Sequence, residues 1–215
     1  SDGNWIVYIR GGDFGSNWDD ELPVNPTFNP IPPKVQIWSI AFSGGDPIMI
    51  DEGINPVISP LSDEIAYVKD GQIWISNIDG KGDPKKIFHS RGRNGSHSWS
   101  PDGSKIAFVS YRGDRSFIGI YKDENSNIKW VNPSFDRDTS PRWSPDGNEI
   151  VYIRQPGAAG KPSSILGGKH NPWKIVKTDI NSMETKELWT APKTLSGSYP
   201  RTQGGTNLHW ASNRI

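Results

Sequence analysis

One nine-residue phrase occurs twice almost unchanged, and it restricts the fold more than any other feature of the chain. Trp99-Ser100-Pro101-Asp102-Gly103-Ser104-Lys105-Ile106-Ala107 returns 44 residues later as Trp143-Ser144-Pro145-Asp146-Gly147-Asn148-Glu149-Ile150-Val151. Each copy closes an apolar run, turns tightly and opens a second run. Pro presets the first turn angle and Gly supplies the positive φ that follows. The flanks, Ser96 to Trp99 and Ile106 to Val109, read as hairpin strands whose loop sets their register. A strand pair returning at such a period marks a radial or stacked repeat protein.

The repeat can be followed outward. Val57-Ile58-Ser59-Pro60-Leu61-Ser62-Asp63-Glu64-Ile65-Ala66-Tyr67 is a degraded copy that keeps Ser-Pro and loses the turn Gly. Ser1-Asp2-Gly3-Asn4-Trp5-Ile6-Val7-Tyr8 is the second half of another, and Leu208 to Ile215 the first half of a fifth. Between the hairpins lie two further strand-like runs per repeat: Val35 to Phe42 and Ile48 to Ile50, Gln72 to Asn77 and Lys85 to Phe88, Phe117 to Tyr121 and Ile128 to Val131, Lys174 to Thr178 and Thr185 to Trp189. Four short strands in roughly 42 residues make a β-propeller blade. The expected fold is all-β, with four-stranded antiparallel blades. Four to five of them are present: blade 1 at about 1–53 without its first strand, blade 2 at about 54–94, blade 3 at about 95–138, blade 4 at about 139–193, and the start of blade 5 at about 194–215. A β-sandwich would not require a phrase to recur at fixed spacing. The cut terminal repeats favour an open piece of a larger propeller over a closed four-bladed ring, and such a piece would expose blade faces prone to self-association.

Composition agrees. The chain has 23 Gly, 18 Pro and 33% apolar residues, with ten Trp to supply wide packing surfaces. A formal net charge of zero gives no general attraction to nucleic acid or membranes, and no apolar run approaches the roughly 20 residues of a membrane span. Cysteine is absent, which excludes disulfides and a thiol nucleophile.

Elaboration is confined to one face. Residues 11–34 and 154–171 interrupt the second-to-third strand connections of the first and fourth repeats, where the second repeat has only Lys69-Asp70-Gly71. In an up-and-down blade these connections and the blade-to-blade crossovers share one face, and long loops on a rigid scaffold are where function usually sits. That face gathers Arg91, Arg93, Arg112, Asp114 and Arg115, with Asp136, Arg137 and Asp138 in the next crossover. Arg suits bidentate capture of carboxylates. A self-neutralising network between neighbouring blades is the plainer reading of the cluster. Asp102 and Asp146 are expected to cap their own turns, and Trp99 and Trp143 to pack between blades. His89, His97, His170 and His209 lack chelating spacing, so no metal or other cofactor is expected. No Gly-x-Ser-x-Gly segment occurs, so no catalytic residue is assigned.

Trp-Ser-Pro-Asp-Gly followed by Ile-Ala resembles TolB-like propeller repeats. The runs Arg91-Gly92-Arg93-Asn94-Gly95-Ser96, Tyr111-Arg112-Gly113-Asp114-Arg115-Ser116-Phe117-Ile118-Gly119, Asp136-Arg137-Asp138 and Ile153-Arg154-Gln155-Pro156-Gly157 are similar to the N-terminal propeller of bacterial prolyl oligopeptidase and dipeptidyl peptidase IV-like serine peptidases. That resemblance implies a seven- or eight-bladed propeller that gates a covalently linked α/β-hydrolase domain and its peptide substrate. In dipeptidyl peptidases the propeller also contributes acidic side chains that hold the substrate amino terminus. Asp19-Asp20-Glu21 sits on an insertion of that general kind, without the Glu-Glu pair itself. The resemblance implies a periplasmic or secreted protein, with the cytoplasm as the alternative. The rival function is a non-enzymatic TolB-like periplasmic propeller that binds proteins or peptides. A carbohydrate-active propeller would need paired carboxylates at the central channel, and no such pair stands out.

Overall fold

The computed structural model describes residues 3–11, 34–61, 63–157, 172–194 and 208–211, and every regular element among them is a β-strand. The chain divides into two compact units, Ser1–Phe88 and His89–Ile215.

In the first unit, β1 (Trp5–Arg10), β2 (Gln36–Ala41) and β3 (Ile48–Glu52) form a three-stranded antiparallel sheet. Next comes a four-stranded meander of β4 (Ile54–Ile58), β5 (Glu64–Lys69), β6 (Gln72–Asn77) and β7 (Lys85–Lys86). The second unit holds two more meanders. One is β8 (Arg93–Trp99), β9 (Ile106–Arg112), β10 (Arg115–Tyr121) and β11 (Lys129–Val131), and the other is β12 (Arg137–Trp143), β13 (Glu149–Gln155), β14 (Lys174–Asp179) and β15 (Thr185–Thr190). A single parallel pairing, Ser116 with Arg137, joins these two. Consecutive up-and-down sheets of this size are propeller blades, so the fold is all-β and a partial propeller.

The repeated phrase folds twice in the same way. Ser100 N donates to Lys105 O (2.8 Å) and Gly103 N to Ser100 O (2.9 Å); Ser144 N donates to Glu149 O and Gly147 N to Ser144 O, both at 2.9 Å. Gly103 and Gly147 take φ of 70° and 71°, a conformation that glycine adopts without steric cost. Asp102 Oδ1 accepts Ser104 N at 3.1 Å and Ser100 Oγ at 2.5 Å; Asp146 Oδ1 accepts Asn148 N and Ser144 Oγ at the same distances. Both carboxylates are turn caps, as the sequence suggests. These bonds hold Asp146 down at about 2, with Ser144 the largest contributor, and Asp102 lower still.

The innermost strands depart from expectation. β8 and β12 begin three residues and more ahead of their apolar segments, because Arg93, Asn94 and Gly95, and likewise Arg137, Asp138 and Thr139, join the ladders. Register shifts separate the two halves of each strand, between Gly95 and Ser98, between Thr139 and Arg142, and between Ile54 and Val57 in β4. At each shift stands a non-glycine residue with positive φ: Asn55 (54°), Ser96 (46°) and Ser140 (58°). Each lies at the same distance before the turn proline, so one β-bulge is inherited by every complete repeat. At the other end, β7 stops at Lys86, short of the run to Phe88 read from the sequence. Ile87 N nevertheless still donates to Ile73 O (3.2 Å) and its side chain is buried.

Burial explains the second strand of each blade. Ile65-Ala66-Tyr67-Val68, Ile106-Ala107-Phe108-Val109 and Ile150-Val151-Tyr152-Ile153 are buried at every position. Strands covered on both faces lose the apolar-polar alternation of a half-solvated sheet. Trp143 joins Ala107, Val109, Ile118, Val131, Ile150 and Tyr152 in one apolar cluster, and its Nε1 donates to Ser98 O at 3.1 Å. It packs between neighbouring blades, as expected. Leu208 to Ala211 form no strand. Even so, Arg142 Nε donates to Leu208 O (3.1 Å), the counterpart of Ser98 Oγ donating to Pro141 O (3.3 Å) one repeat earlier. Residue 208 thus continues the sequence of inner-strand contacts.

Candidate functional site

The polar cluster forms at the ends of β9 and β10 and in the crossover before β12. Gly113, at φ 72°, makes the two-residue turn that brings Arg112 opposite Arg115. Arg112 lies 5.2 Å from the Phe117 ring centre and 5.0 Å from that of Trp130, and its Nε donates to Ser110 Oγ at 3.3 Å. The two rings meet edge-on at 6.3 Å, so the guanidinium rests on a rigid aromatic corner. Arg115 lies 5.1 Å from the ring of Phe135, which is 81% exposed, and contacts Asp114 Oδ1 at 3.4 Å.

The sequence places Arg137 and Asp138 in the crossover, but both pair within β12, and two contacts tie the crossover and the start of this strand to their surroundings. Arg137 Nε donates to Asp114 O (2.9 Å), and Asp136 Oδ1 accepts Gly157 N (3.3 Å). Arg91 enters through its backbone, with its carbonyl accepting Ser110 Oγ at 3.0 Å, while the Arg91 and Arg93 side chains are exposed. The cluster thus holds one ion pair, Asp114 with Arg115, backbone contacts of Arg137 and Asp136, and an Arg on neutral groups. Asp19, Asp20 and Glu21 lie outside the described residues.

A stronger pair escaped the sequence reading. Arg154 Nε and Nη2 donate to the two oxygens of Asp138 at 2.7 and 2.8 Å, and Nη2 also reaches Asn132 O at 2.7 Å. The Asp138 side chain is 0% exposed and that of Arg154 13%. Burial pushes the Asp138 carboxyl up from its ordinary value, and the guanidinium pulls against it. The first unit has a counterpart: Lys69 Nζ binds both oxygens of Asp51 at 2.7 and 2.9 Å, and Tyr67 OH donates to Asp51 Oδ2 at 2.6 Å. Burial alone would raise Asp51, but Lys69 and Tyr67 outweigh it and hold it below the usual carboxylate range. The signal was present in the sequence as Glu64-Ile65-Ala66-Tyr67-Val68-Lys69 against Glu149-Ile150-Val151-Tyr152-Ile153-Arg154.

Chemically, the face holds its charges in fixed pairs and on ring faces. That arrangement suits recognition and positioning of an anionic group more than proton transfer. Among the described residues, no three His, Asp or Glu side chains gather as a metal site would require, and no helix is long and apolar enough to cross a membrane.

Comparison with known proteins agrees with this geometry. The Tol-Pal system protein TolB of Bordetella avium is 28% identical over 132 residues, spanning 55% of this chain and 30% of that protein. A TolB structure from Agrobacterium tumefaciens superposes with a TM-score of 0.54 at 22% identity, covering 74% of this chain and 57% of the other. A puromycin-hydrolyzing peptidase of Mycobacterium tuberculosis superposes with a TM-score of 0.59 at 14% identity, covering 87% of this chain and 28% of the peptidase. The chain thus spans under two thirds of each of these proteins. The family model for the TolB beta propeller domain matches residues 40–163. With more than half its length matched, the chain belongs to the TolB β-propeller domain family.

Proposed function

We propose that this propeller is the substrate-gating, non-catalytic domain of a prolyl oligopeptidase-like serine peptidase, acting on peptides together with a linked α/β-hydrolase domain. The observation that carries the reading is Arg112. Its guanidinium is held over Phe117 and Trp130 and by a serine hydroxyl, at the β9–β10 turn end of the third blade. A cation fixed by neutral partners keeps its charge for a peptide carboxylate. The exposed Phe135 beside Arg115 offers the aromatic-and-Arg pairing typical of contact hot spots, suited to a docked domain. Enclosure by such a face would admit small peptides and exclude water and folded proteins.

The test uses the polypeptide that carries this propeller. Labelling by a serine-directed fluorophosphonate, with cleavage of short peptides but not of folded proteins, is expected. Arg112→Met should raise KM for peptides with a free carboxylate several-fold and leave kcat nearly unchanged. No labelling and no cleavage would sink the proposal.

The second reading is a non-enzymatic propeller that binds proteins or peptides in the periplasm. Its support is the 28% identity to a Tol-Pal system protein. Binding to Tol-Pal components, in the absence of peptidase activity, would establish it instead.

A further inference from the structure

The β9–β10 hairpin is longer than its counterpart one blade earlier. Between β5 and β6 the ladder closes at Lys69 with Gln72, around Asp70-Gly71. Ser110 stands where Lys69 stands and pairs with Phe117, but two further pairs follow, Tyr111 with Ser116 and Arg112 with Arg115. Strand alternation puts the last pair on the sheet face that carries Ser110 and Phe117, and Arg112 touches both of these. The extension therefore ends in two guanidinium side chains rooted at directly opposed positions, about 5 Å apart at Cβ.

Like charges facing one another across a ladder destabilise it, and little here offsets the repulsion. Arg112 is held by Ser110 Oγ and by the rings of Phe117 and Trp130. Arg115 meets one carboxylate oxygen, Asp114 Oδ1, at the long distance of 3.4 Å, and its guanidinium lies 5.1 Å from the Phe135 ring. The extension is nonetheless fixed in place. Ser116 Oγ donates to Asp138 O (2.7 Å), Ser116 N to Asp136 O (3.4 Å), and Arg137 Nε to Asp114 O (2.9 Å). With the backbone tied to the next crossover and strand, the two cations cannot separate by moving it. A like-charged pair held on a rigid tip between aromatic rings is a preorganised receptor for a doubly charged anion.

The rings also select the shape of that anion. Arg112 leans on Phe117 and Trp130 while Arg115 leans on Phe135, so the two heads have separate supports. Two carboxylates joined by a short linker match separate heads better than one phosphate does. A C-terminal aspartate carries such a pair on neighbouring carbons, its α-carboxylate and its side chain.

We propose that Arg112 and Arg115 together form a subsite for peptides ending in an acidic residue, with Arg112 taking the terminal carboxylate and Arg115 the side-chain carboxylate. The assignment rests on the peptide-gating reading of this propeller, and it makes Arg115 a specificity-determining residue.

Calorimetric titration of the full chain with Ala-Ala-Asp and Ala-Ala-Asn tests it. The Asp peptide should bind about tenfold tighter, the worth of one added charge-assisted contact. Arg115→Met should bring the two affinities together and leave that of Ala-Ala-Asn unchanged. Its denaturant midpoint should hold or rise, because the like-charged pair is gone. Equal affinities in the unaltered chain, or a preference for Asp that survives Arg115→Met, would overturn the proposal. So would inorganic phosphate binding as tightly as Ala-Ala-Asp, since it would give both arginines to a single group. The peptide-gating reading fails by a separate observation, the absence of fluorophosphonate labelling and peptide cleavage in the polypeptide that carries the propeller, whatever the ratio of affinities.

Discussion

Replacing Arg154 by Met tests how much of the fourth blade depends on one ion pair. The substitution keeps much of the side chain's length and apolar bulk and removes the guanidinium. Four bonds vanish: two to Asp138, one to Asn132 O and one to the Tyr152 hydroxyl. What remains is a carboxylate with 0% exposure and no counter-charge. Removing one partner of a buried pair costs about 3–5 kcal/mol, because the other charge is left desolvated. The loss should show as a lower denaturant midpoint with unchanged slope, followed by tryptophan fluorescence. It should also depend on pH. With Arg154 gone, burial and the Asp136 charge act on Asp138 unopposed, and its folded-state pKa, already raised, moves further above the unfolded value. The folded state then binds the proton more tightly, so stability is retained below the unfolded pKa and lost as pH rises through the folded one. The deficit should be smaller near pH 4 than at pH 7. Asp138→Leu combined with Arg154→Met should recover most of the loss, since an apolar pair has no charge to desolvate. A single variant costing under about 1 kcal/mol, or a double variant as unstable as the sum of the singles, would refute the view that burial governs this pair.

Other perturbations follow from the turns and the interior. Asp102 and Asp146 are held below their ordinary values by hydrogen bonds, so the stability they contribute is complete above about pH 4 and lost as pH falls through the folded values; Asp102→Asn with Asp146→Asn should flatten the melting temperature between pH 4 and 2. Gly119→Ala would bring a methyl to 2.5 Å from Phe108 Cζ inside the third blade and should cost about 1–3 kcal/mol by denaturant unfolding. Trp143→Phe keeps an aromatic ring between blades but removes the donor to Ser98 O; about 1–2 kcal/mol should be lost by denaturant unfolding, and equally at pH 5 and pH 8, since neither group titrates.

The sequence made the architecture readable because the repeat encodes it redundantly. Pro101 with Gly103 and Pro145 with Gly147 announce the same turn, and Ile106-Ala107-Phe108-Val109 announces a strand covered on both sides. The bulges at Asn55, Ser96 and Ser140 were not readable, since neither Asn nor Ser at a strand position declares a positive φ. β8 reads short and Arg137-Asp138 reads as crossover for a related reason: Arg93-Asn94 and Arg137-Asp138-Thr139 have polar side chains, and their pairing depends on backbone groups that composition does not show. The candidate site divides the same way. Arg112 and Arg115 are placed by the Gly113 turn that the sequence displays, but the partner of Asp138 is not legible there. Arg154 lies 16 residues further on, and only strand register brings the two together.

That register also separates structural cations from the one assigned to recognition. Lys69 and Arg154 occupy the same position on the second strand of their blades, and each is taken up by a carboxylate built to meet it. In the third blade that position is Ser110, whose hydroxyl serves the Arg91 carbonyl instead. The guanidinium comes from Arg112, two residues further along β9 and hence about 7 Å nearer the loop end. There it leans on Phe117 and Trp130 and takes Ser110 Oγ as its acceptor, all neutral partners. Moving the cation along the strand removes it from the carboxylate that would neutralise it and sets it at the β9–β10 turn. A variant with Ser110→Arg and Arg112→Ser returns the cation to the structural position, where the third blade carries Asn94 in place of Asp138. It should therefore lose stability and anion binding together, whereas Arg112→Met should lose anion binding with little change in stability. Equal destabilisation by both variants, measured by denaturant unfolding, would mean that Arg112 is a structural residue like Lys69 and Arg154.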